Sequence, residues 1–355
     1  MGNIQVVGKW NNETNTWNTP SQNEVGRSFL FCDYDYIINN PKEGVNYIIV
    51  CDGKRLNLHT FDTENISERA ANMTHILSHY RNMNGNYVIK LFLIDNDAPI
   101  IEDAKKLANY IDLLSTKKTT NSVNLLGLSK CGAMSMYIPR FLKSIDSFDK
   151  LNIYSIAAPY KGTKIASPKM LYPDLHKVVQ KRLGKGLISE LVYKGMIEIY
   201  EYLCSNSHMD YDIAVPGEIP KERSYLYDYS FIRDIFDKKN IDAVKRINSF
   251  TNITTGIDAN TLPEAIRTFN ITGMCLCLLD EIVFDKPSDG MVRVKDQKAV
   301  EKPLGIESTK LESAHHDVYS NNRTYDEVLD IVDDTIEEYN EKKLSLNNNK
   351  KYHIY

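Results

Sequence analysis

Short apolar runs alternate with segments of helical spacing over the first half of the chain. The predicted strands are residues 28–38, 45–53, 87–94, 123–128 and 151–157. The predicted helices are residues 66–80 and 99–114. Strands that alternate with helices predict a mostly parallel sheet with helices on both faces, which is an α/β fold.

The regular alternation stops near residue 168. Residues 168–268 mix polar and apolar positions in helical patterns, and we interpret them as a helical cap inserted over the carboxyl edge of the sheet. A separate helical domain is the alternative interpretation, because the segment is long for a crossover. The sheet is expected to resume at Phe269–Leu279, before a final amphipathic helix at 325–339. The predicted organisation is a polar lead-in at 1–27, an α/β core at 28–167 and 269–340, a cap at 168–268, and a loose tail at 341–355.

The stretch from Val123 to Tyr137 combines a strand, a tight turn and the start of a helix. Gly127, Ser129 and Gly132 fall within six residues. This order is typical of a nucleophile elbow, where a serine hydroxyl lies at the end of a strand and at a helix N-terminus. The usual pattern is G-x-S-x-G, and here Cys131 stands where the second glycine is expected. A buried turn with an idle serine is the alternative.

A serine nucleophile needs a base, and the base needs an orienting acid. In the elbow-bearing folds the chain order is serine, then acid, then histidine. His315 and His316 lie in a predicted loop before the last helix, and Asp289 lies earlier in an Asp-Gly turn. The alternative acids are Asp280, Glu281 and Asp285.

An oxyanion hole needs two preorganised N–H donors. One is expected from Lys130, the residue after the serine. The other is expected from the loop after an early strand, where Gly53 and Lys54 follow Asp52. A glycine at that place lets the backbone approach a substrate closely.

Several stretches, in this order, resemble those of lipase- or esterase-type α/β-hydrolases. YIIVCDGK resembles their oxyanion-loop strand, although Asp52 replaces the usual histidine, and VNLLGLSKCG resembles their elbow. SIAAPYKGT resembles a lipase segment that often has histidine at the place of Tyr160. SDGMVRV resembles their acid loop, and AHHD resembles their histidine loop in a register that favours His315. The likeness covers residues 45–165 and 270–340.

The resemblance implies an α/β-hydrolase fold. It also implies a serine hydrolase that cleaves a carboxylic ester, either a lipid ester or another ester, through an acyl-enzyme. It implies no metal or organic cofactor. A protein-acyl thioesterase or peptidase on the same fold, or an inactive hydrolase fold used for binding, are the alternatives. The implied site residues are Ser129, Asp289 and His315 for catalysis, Lys130, Lys54 and Gly53 for the oxyanion hole, and Leu128 and Tyr160 for the substrate.

Composition and net charge restrict the kinds of molecule that the protein is expected to bind. With 42% hydrophobic and 25% charged residues the chain has an ordinary globular composition, and a net charge of −4 gives no basic footprint for nucleic acid. The N-terminus has no signal-peptide core, no apolar run spans a membrane, and the six cysteines show no C-x-x-C spacing. We therefore expect a cytoplasmic protein with reduced cysteines, with a secretion route that needs no signal peptide left open.

The expected partner is a small-molecule or lipid ester, and the oligomeric state is left open. One predicted cap helix carries an apolar face that would roof an acyl pocket or touch a membrane surface, with plain helix packing as the alternative. Its members are Leu187, Ile188, Leu191, Val192, Met196 and Ile199.

Overall fold

The computed structural model describes residues 5–11, 16–18, 30–38, 44–56, 75–76, 78–95, 100–163, 230–257, 287–313, 315 and 322–352, with single positions and short runs between 176 and 213. Its strands are β1 Gln5–Asn11, β2 Thr16–Asn18, β3 Leu30–Ile38, β4 Val45–Leu56, β5 Asn86–Asp95, β6 Thr120–Leu128, β7 Leu151–Ile156, β8 Ser249–Gly256 and β9 Thr309–Glu312. These strands form one sheet in the order β2–β1–β3–β5–β4–β6–β7–β8–β9.

Most of the sheet is parallel. The six neighbouring strands β5, β4, β6, β7, β8 and β9 all pair in parallel. β3 runs antiparallel to β5 and parallel to β1, and β2 runs antiparallel to β1. Because parallel strands need crossover connections, helices cover the faces of such a sheet.

The helices that pack around the sheet are mostly short. They are α1 Ile100–Ser115, α2 Lys130–Met134, α3 Ile138–Phe141, α4 Ile145–Lys150, α5 Ser230–Arg233, α6 Lys238–Val244, α7 Val294–Gln297, α8 Glu301–Leu304 and α9 Asn322–Tyr352. Residues 75–76 and 78–81 are also helical. In the described part of the chain, no helix is both long and apolar enough to cross a membrane.

The buried run of β6 serves both faces of the sheet, since successive side chains of a strand point to opposite sides. Val123 and Leu125 belong to the core cluster that contains α1 to α6. Leu126 and Leu128 belong to the second cluster, which also contains Ile76, Tyr80 and the apolar face of α9. The buried apolar positions of α9 in the described residues follow helical spacing and are Tyr325, Val328, Leu329, Val332 and Ile336.

The predicted fold class, an α/β protein with a mostly parallel sheet, is confirmed. The five predicted strands correspond to β3 to β7, and the helix predicted at 99–114 corresponds to α1. The elbow helix α2 ends at Met134, and a second helix, α3, begins at Ile138, so that Pro139 lies in its first turn. Proline is tolerated in that first turn, where no intrahelical N–H bond is lost.

The predicted extent of the cap is wrong. α5, α6 and β8 lie inside residues 168–268, and β8 is an inner strand that pairs with β7 and β9. The sheet therefore returns at Ser249, whereas Phe269–Leu279 lies outside the described residues. β8 was not predicted because it lacks a continuous apolar run, since its buried positions include Asn252, Thr254 and Thr255.

Both chain ends are more regular than predicted. β1 and β2 lie within the predicted polar lead-in at 1–27 and extend the sheet. α9 continues to Tyr352, through most of the tail predicted to be loose. No proline or glycine follows Asn322 within α9, so nothing in the local sequence breaks the helix earlier.

Candidate active site

The strand, turn and helix predicted around Ser129 are present. Ser129 connects β6 to α2 with φ 53° and ψ −118°, a backbone conformation that non-glycine residues rarely adopt. Its backbone N–H donates to the carbonyl of Ile156 at 2.8 Å, which fixes the turn against the end of β7. The side chain is half-buried and makes no capping bond to α2. The hydroxyl is therefore available to groups above the carboxyl edge of the sheet.

Close backbone packing explains why glycines flank the serine. A Cβ on Gly127 would lie 2.8 Å from the carbonyl oxygen of Cys131. A Cβ on Gly132 would lie 2.9 Å from the carbonyl oxygen of Gly127 and 2.9 Å from Ser155 Oγ. Cys131 has a fully buried side chain instead. The second glycine of the elbow is thus needed at position 132, and cysteine fits at position 131.

His315 connects Ser129 to Asp289. His315 Nε2 lies 2.9 Å from Ser129 Oγ, and His315 Nδ1 lies 2.8 Å from Asp289 Oδ2. The backbone N–H of His315 also donates to the carbonyl of Asp289 at 2.9 Å. Both side chains are buried. The three residues chosen from the sequence as a triad are therefore in hydrogen-bond contact.

The structure does not test the other candidate acids or the other candidate histidine. His316, Asp280, Glu281 and Asp285 lie outside the described residues. Asp289 itself is held beyond β8, because Ile257 donates its backbone N–H to the carbonyl of Ser288 at 2.8 Å. The acid thus lies just beyond the carboxyl end of β8 in space.

Five described donors surround the Asp289 carboxylate. Oδ1 accepts the backbone N–H groups of Met291 at 2.9 Å and Val292 at 2.7 Å. Oδ2 accepts from the hydroxyl of Thr255 at 2.7 Å and the amide of Gln297 at 3.0 Å, besides His315. Thr255 and Gln297 were missed in the sequence. Thr255 lay in the predicted cap, and Gln297 belongs to no motif.

Ala157 adds a second strained backbone position beside Ser129. It follows β7 with φ 52°, and its N–H donates to the carbonyl of Ile253 at 2.9 Å. In the described part of the chain, these two are the non-glycine residues with positive φ. Strained residues concentrate at functional sites, so both fit a site at the carboxyl ends of β6 and β7. An alanine gives no sequence signal for such a conformation.

The expected oxyanion donors lie at the same edge of the sheet. Lys130 is the first residue of α2, where backbone N–H groups point out of the helix, and its side chain is buried. Gly53 and Lys54 lie within β4, so the prediction of a loop there is wrong. Pairing of β4 with β6 ends at Cys51, and the register with β5 shifts between Asp52 and Leu56. The strand continues through an irregular stretch, of the kind that redirects backbone groups next to active sites.

Tyr160 and Leu128, which were predicted to contact the substrate, both have side chains buried in the core. The hydroxyl of Tyr160 lies 2.6 Å from Ser155 Oγ and 3.3 Å from Asn252 Oδ1. Burial raises the pKa of Tyr160 well above its ordinary value. Leu128 is buried in the cluster under α9. Tyr160 is thus an internal hydrogen-bonding residue between neighbouring strands.

Two further expectations concern the cap and metals. Leu187, the first member of the apolar cap face, is 79% exposed, and the other members lie outside the described residues. Among the residues that the structure describes, no group of three or more His, Cys, Asp or Glu side chains could hold a metal ion.

Comparison with known proteins gives only distant likeness. No protein-family profile matches the chain, and no curated protein matches it. Among solved structures, the lipase BlEst2 of Bacillus licheniformis is 12% identical, with 82% of this chain and 93% of that chain covered and a TM-score of 0.42. A lipase-esterase related protein of Clostridium acetobutylicum is also 12% identical, with 83% and 98% covered and a TM-score of 0.38. Brefeldin A esterase, a bacterial homologue of human hormone-sensitive lipase, is 13% identical, with 84% and 69% covered and a TM-score of 0.39.

The fold class follows from the chain's own geometry. The mostly parallel sheet carries a serine elbow after its central strand β6, and an acid and a histidine follow later in the chain. That arrangement is the one that defines the α/β-hydrolase fold. The chain has this fold.

Proposed function

We propose that the protein is a serine hydrolase that cleaves a carboxylic ester through an acyl-enzyme. The observation that supports this most directly is the pair of bonds made by His315, to Ser129 Oγ at 2.9 Å and to buried Asp289 at 2.8 Å. An imidazole held between a hydroxyl and a carboxylate can accept the hydroxyl proton while its own charge is stabilised. This is what serine needs to act as a nucleophile.

In the proposed first step, Ser129 Oγ attacks the acyl carbonyl and His315 Nε2 takes its proton. Asp289 holds the proton on Nδ1 and stabilises the imidazolium. The backbone N–H of Lys130, with that of Gly53 or Lys54, binds the developing oxyanion. His315 then gives its proton to the leaving alkoxide, and the alcohol departs.

In the second step, His315 removes a proton from water, which attacks the acyl-enzyme. The tetrahedral intermediate collapses, the carboxylic acid leaves, and Ser129 regains its proton from His315. An ester is the proposed substrate because the segments around Tyr160 and Asp289 resemble those of lipases. The acyl chain and the alcohol are left open.

A fluorophosphonate probe with peptide mapping tests the nucleophile. Ser129→Ala should abolish labelling and the hydrolysis of p-nitrophenyl esters. Cys131→Ser should keep most of both, because Cys131 is fully buried below the elbow. His315→Ala should lower kcat on the order of 10⁴-fold or more, by analogy with the loss of a triad residue in serine proteases.

Circular dichroism of each variant controls for folding. Labelling that survives in Ser129→Ala, or that disappears only when Cys131 is changed, would assign the nucleophile elsewhere. A wild-type protein that neither reacts with the probe nor hydrolyses any ester would favour an inactive fold used for binding.

A further inference from the structure

We propose that Gln297 and Thr255 are positioning residues that hold the Asp289 carboxylate in the orientation His315 requires. The proposal rests on the proposed hydrolase function. It adds two residues, from a strand and a helix, to the groups on which catalysis depends.

The side chain of Gln297 is fully buried and its orientation is determined by its neighbours. Its Oε1 accepts the backbone N–H of Thr255 at 2.8 Å. Its Nε2 faces three acceptors, namely Asp289 Oδ2 at 3.0 Å, the carbonyl of Thr255 at 3.0 Å and the carbonyl of Val292 at 3.2 Å. The reverse amide orientation would place an oxygen against these acceptors, so the Nε2 hydrogens must point toward the acid.

Thr255 approaches the same carboxylate oxygen from the sheet. Thr255 is the second-to-last residue of β8. Its hydroxyl lies 2.7 Å from Asp289 Oδ2 and 3.5 Å from Gln297 Oε1. Both neighbours are acceptors, so the single hydroxyl hydrogen goes to the nearer one, the carboxylate. A strand and a helix therefore hold Oδ2 together, while Met291 and Val292 hold Oδ1.

These bonds determine where the acid points. Oδ2 is also the atom that His315 Nδ1 contacts, so rotation of the carboxylate would break that contact. Without Thr255 and Gln297 the backbone N–H groups would fix one oxygen only. Displacements of about 1 Å in catalytic groups can cost on the order of 10²-fold in rate. Arg293, four residues after Asp289 in the chain, pairs with Asp296 at 2.6 Å.

Near-isosteric variants test the assignment. Thr255→Val removes the hydroxyl but keeps the shape, and Gln297→Met removes the amide but keeps the length. We expect each to lower kcat on p-nitrophenyl acetate by about 10- to 100-fold, with KM changed less than about threefold, because orientation and not binding is lost. Thr255→Ser restores the hydroxyl and should recover most of the lost rate.

A double-mutant cycle separates positioning from general support of the fold. In an Asp289→Ala background the acid is absent, so Thr255→Val should cost less than about twofold. A full loss of rate in that background, or a wild-type kcat in Thr255→Val, would overturn the proposal. Should Gln297→Met fail to fold, the Thr255 pair still decides the question.

The failure of the proposed function gives a different result. If Ser129 of the wild-type protein is not labelled by the fluorophosphonate probe, the hydrolase proposal fails and the positioning role fails with it. If the wild type is labelled and hydrolyses the ester but the Thr255→Val and Gln297→Met variants match it, only the positioning role fails.

Discussion

At Gly132 the helix after the nucleophile packs directly against the sheet. Gly132→Ala would place a methyl group 2.9 Å from the carbonyl oxygen of Gly127 and 3.0 Å from Ala158 Cβ. Since backbone must move to admit it, we expect a loss of about 1–3 kcal/mol in the free energy of unfolding, measured with urea. Fluorophosphonate labelling of Ser129 should also slow, because the elbow shifts.

Gly186→Ala is the matched control for this change. Apart from its chain neighbours, no atom of the described residues lies within 4 Å of a Cβ at Gly186, and its φ is not in the left-handed region, so stability should stay within about 0.5 kcal/mol. Equal stability of both variants would contradict the close approach at Gly132.

At the same scale, the three residues of the candidate triad could be predicted and their supports could not. Ser129, Asp289 and His315 each stand in a motif, and their order in the chain restricts the choice. The role of Gln297 comes from hydrogen bonds to Thr255, which lies 42 positions earlier in the chain. Local patterns of polar and apolar residues cannot predict a hydrogen bond between residues so far apart in the chain.

At the scale of elements, a line of hydrogen-bonded polar side chains joins β6, β7 and β8. Asn152 of β7 donates to Asn124 Oδ1 of β6 at 2.8 Å. Its own Oδ1 accepts from Asn248 at 2.6 Å and Ser249 at 2.9 Å. Asn152 also pairs in register with Asn124 and with Ser249. A slip of one residue would break all of these bonds, so the line specifies strand register.

Asn152→Ala should therefore destabilise the protein without affecting the site. It removes the hydrogen bond to the buried Asn124 Oδ1 of β6 and the acceptor of the half-buried Ser249 hydroxyl of β8. An unsatisfied buried polar group costs about 1–3 kcal/mol. Urea unfolding should show a loss of about 1–3 kcal/mol, whereas kcat of the folded variant should be unchanged, because the site lies at the opposite ends of the strands. A normal stability, or a lower kcat in folded protein, would contradict this account.

Asn109→Ala provides the control. Asn109 is exposed on α1 and accepts a bond from Lys143 Nζ at 3.3 Å. Its loss should change stability by less than about 0.5 kcal/mol.

The same polar burial explains which strands the sequence revealed. β6 shows an apolar run and was predicted from it, whereas β8 buries Asn252, Thr254 and Thr255. Asn252 donates to the carbonyl of Gln297 at 3.1 Å and to Ser308 at 2.7 Å. A strand whose buried polar groups find partners in later elements needs fewer apolar residues, so hydrophobic patterning did not predict β8.

At the scale of the whole molecule, α9 packs beside helical residues 75–76 and 78–81 on one face of the sheet. Two histidine–carboxylate contacts join these elements, His75 to Asp326 at 2.8 Å and His79 to Asp333 at 2.6 Å. The first carboxylate is half-exposed and the second is largely buried. Burial raises the pKa of Asp333 above its ordinary value of 3.8, although the hydrogen bond from His79 lowers it in part.

The raised pKa of Asp333 makes its contribution to stability depend on pH. The folded state keeps this proton to a higher pH than the unfolded state does, so the contribution is fully present below 3.8 and is lost as pH rises through the folded pKa. Each unit of pKa difference corresponds to about 1.4 kcal/mol. Asp333→Asn cannot ionise and does not undergo this loss. We therefore expect the free energy of unfolding of Asp333→Asn, minus that of the wild type, to increase between acidic and neutral pH.

Urea midpoints at several pH values measure this difference, and Asp326→Asn serves as its control. That variant removes one negative charge from the same helix, at a half-exposed position that also contacts a histidine. Because an exposed charge is screened by water, its substitution should leave the difference nearly level across the range. If the difference for Asp333→Asn were level or fell with rising pH, or if Asp326→Asn gave the same increase, burial of Asp333 would not be the cause.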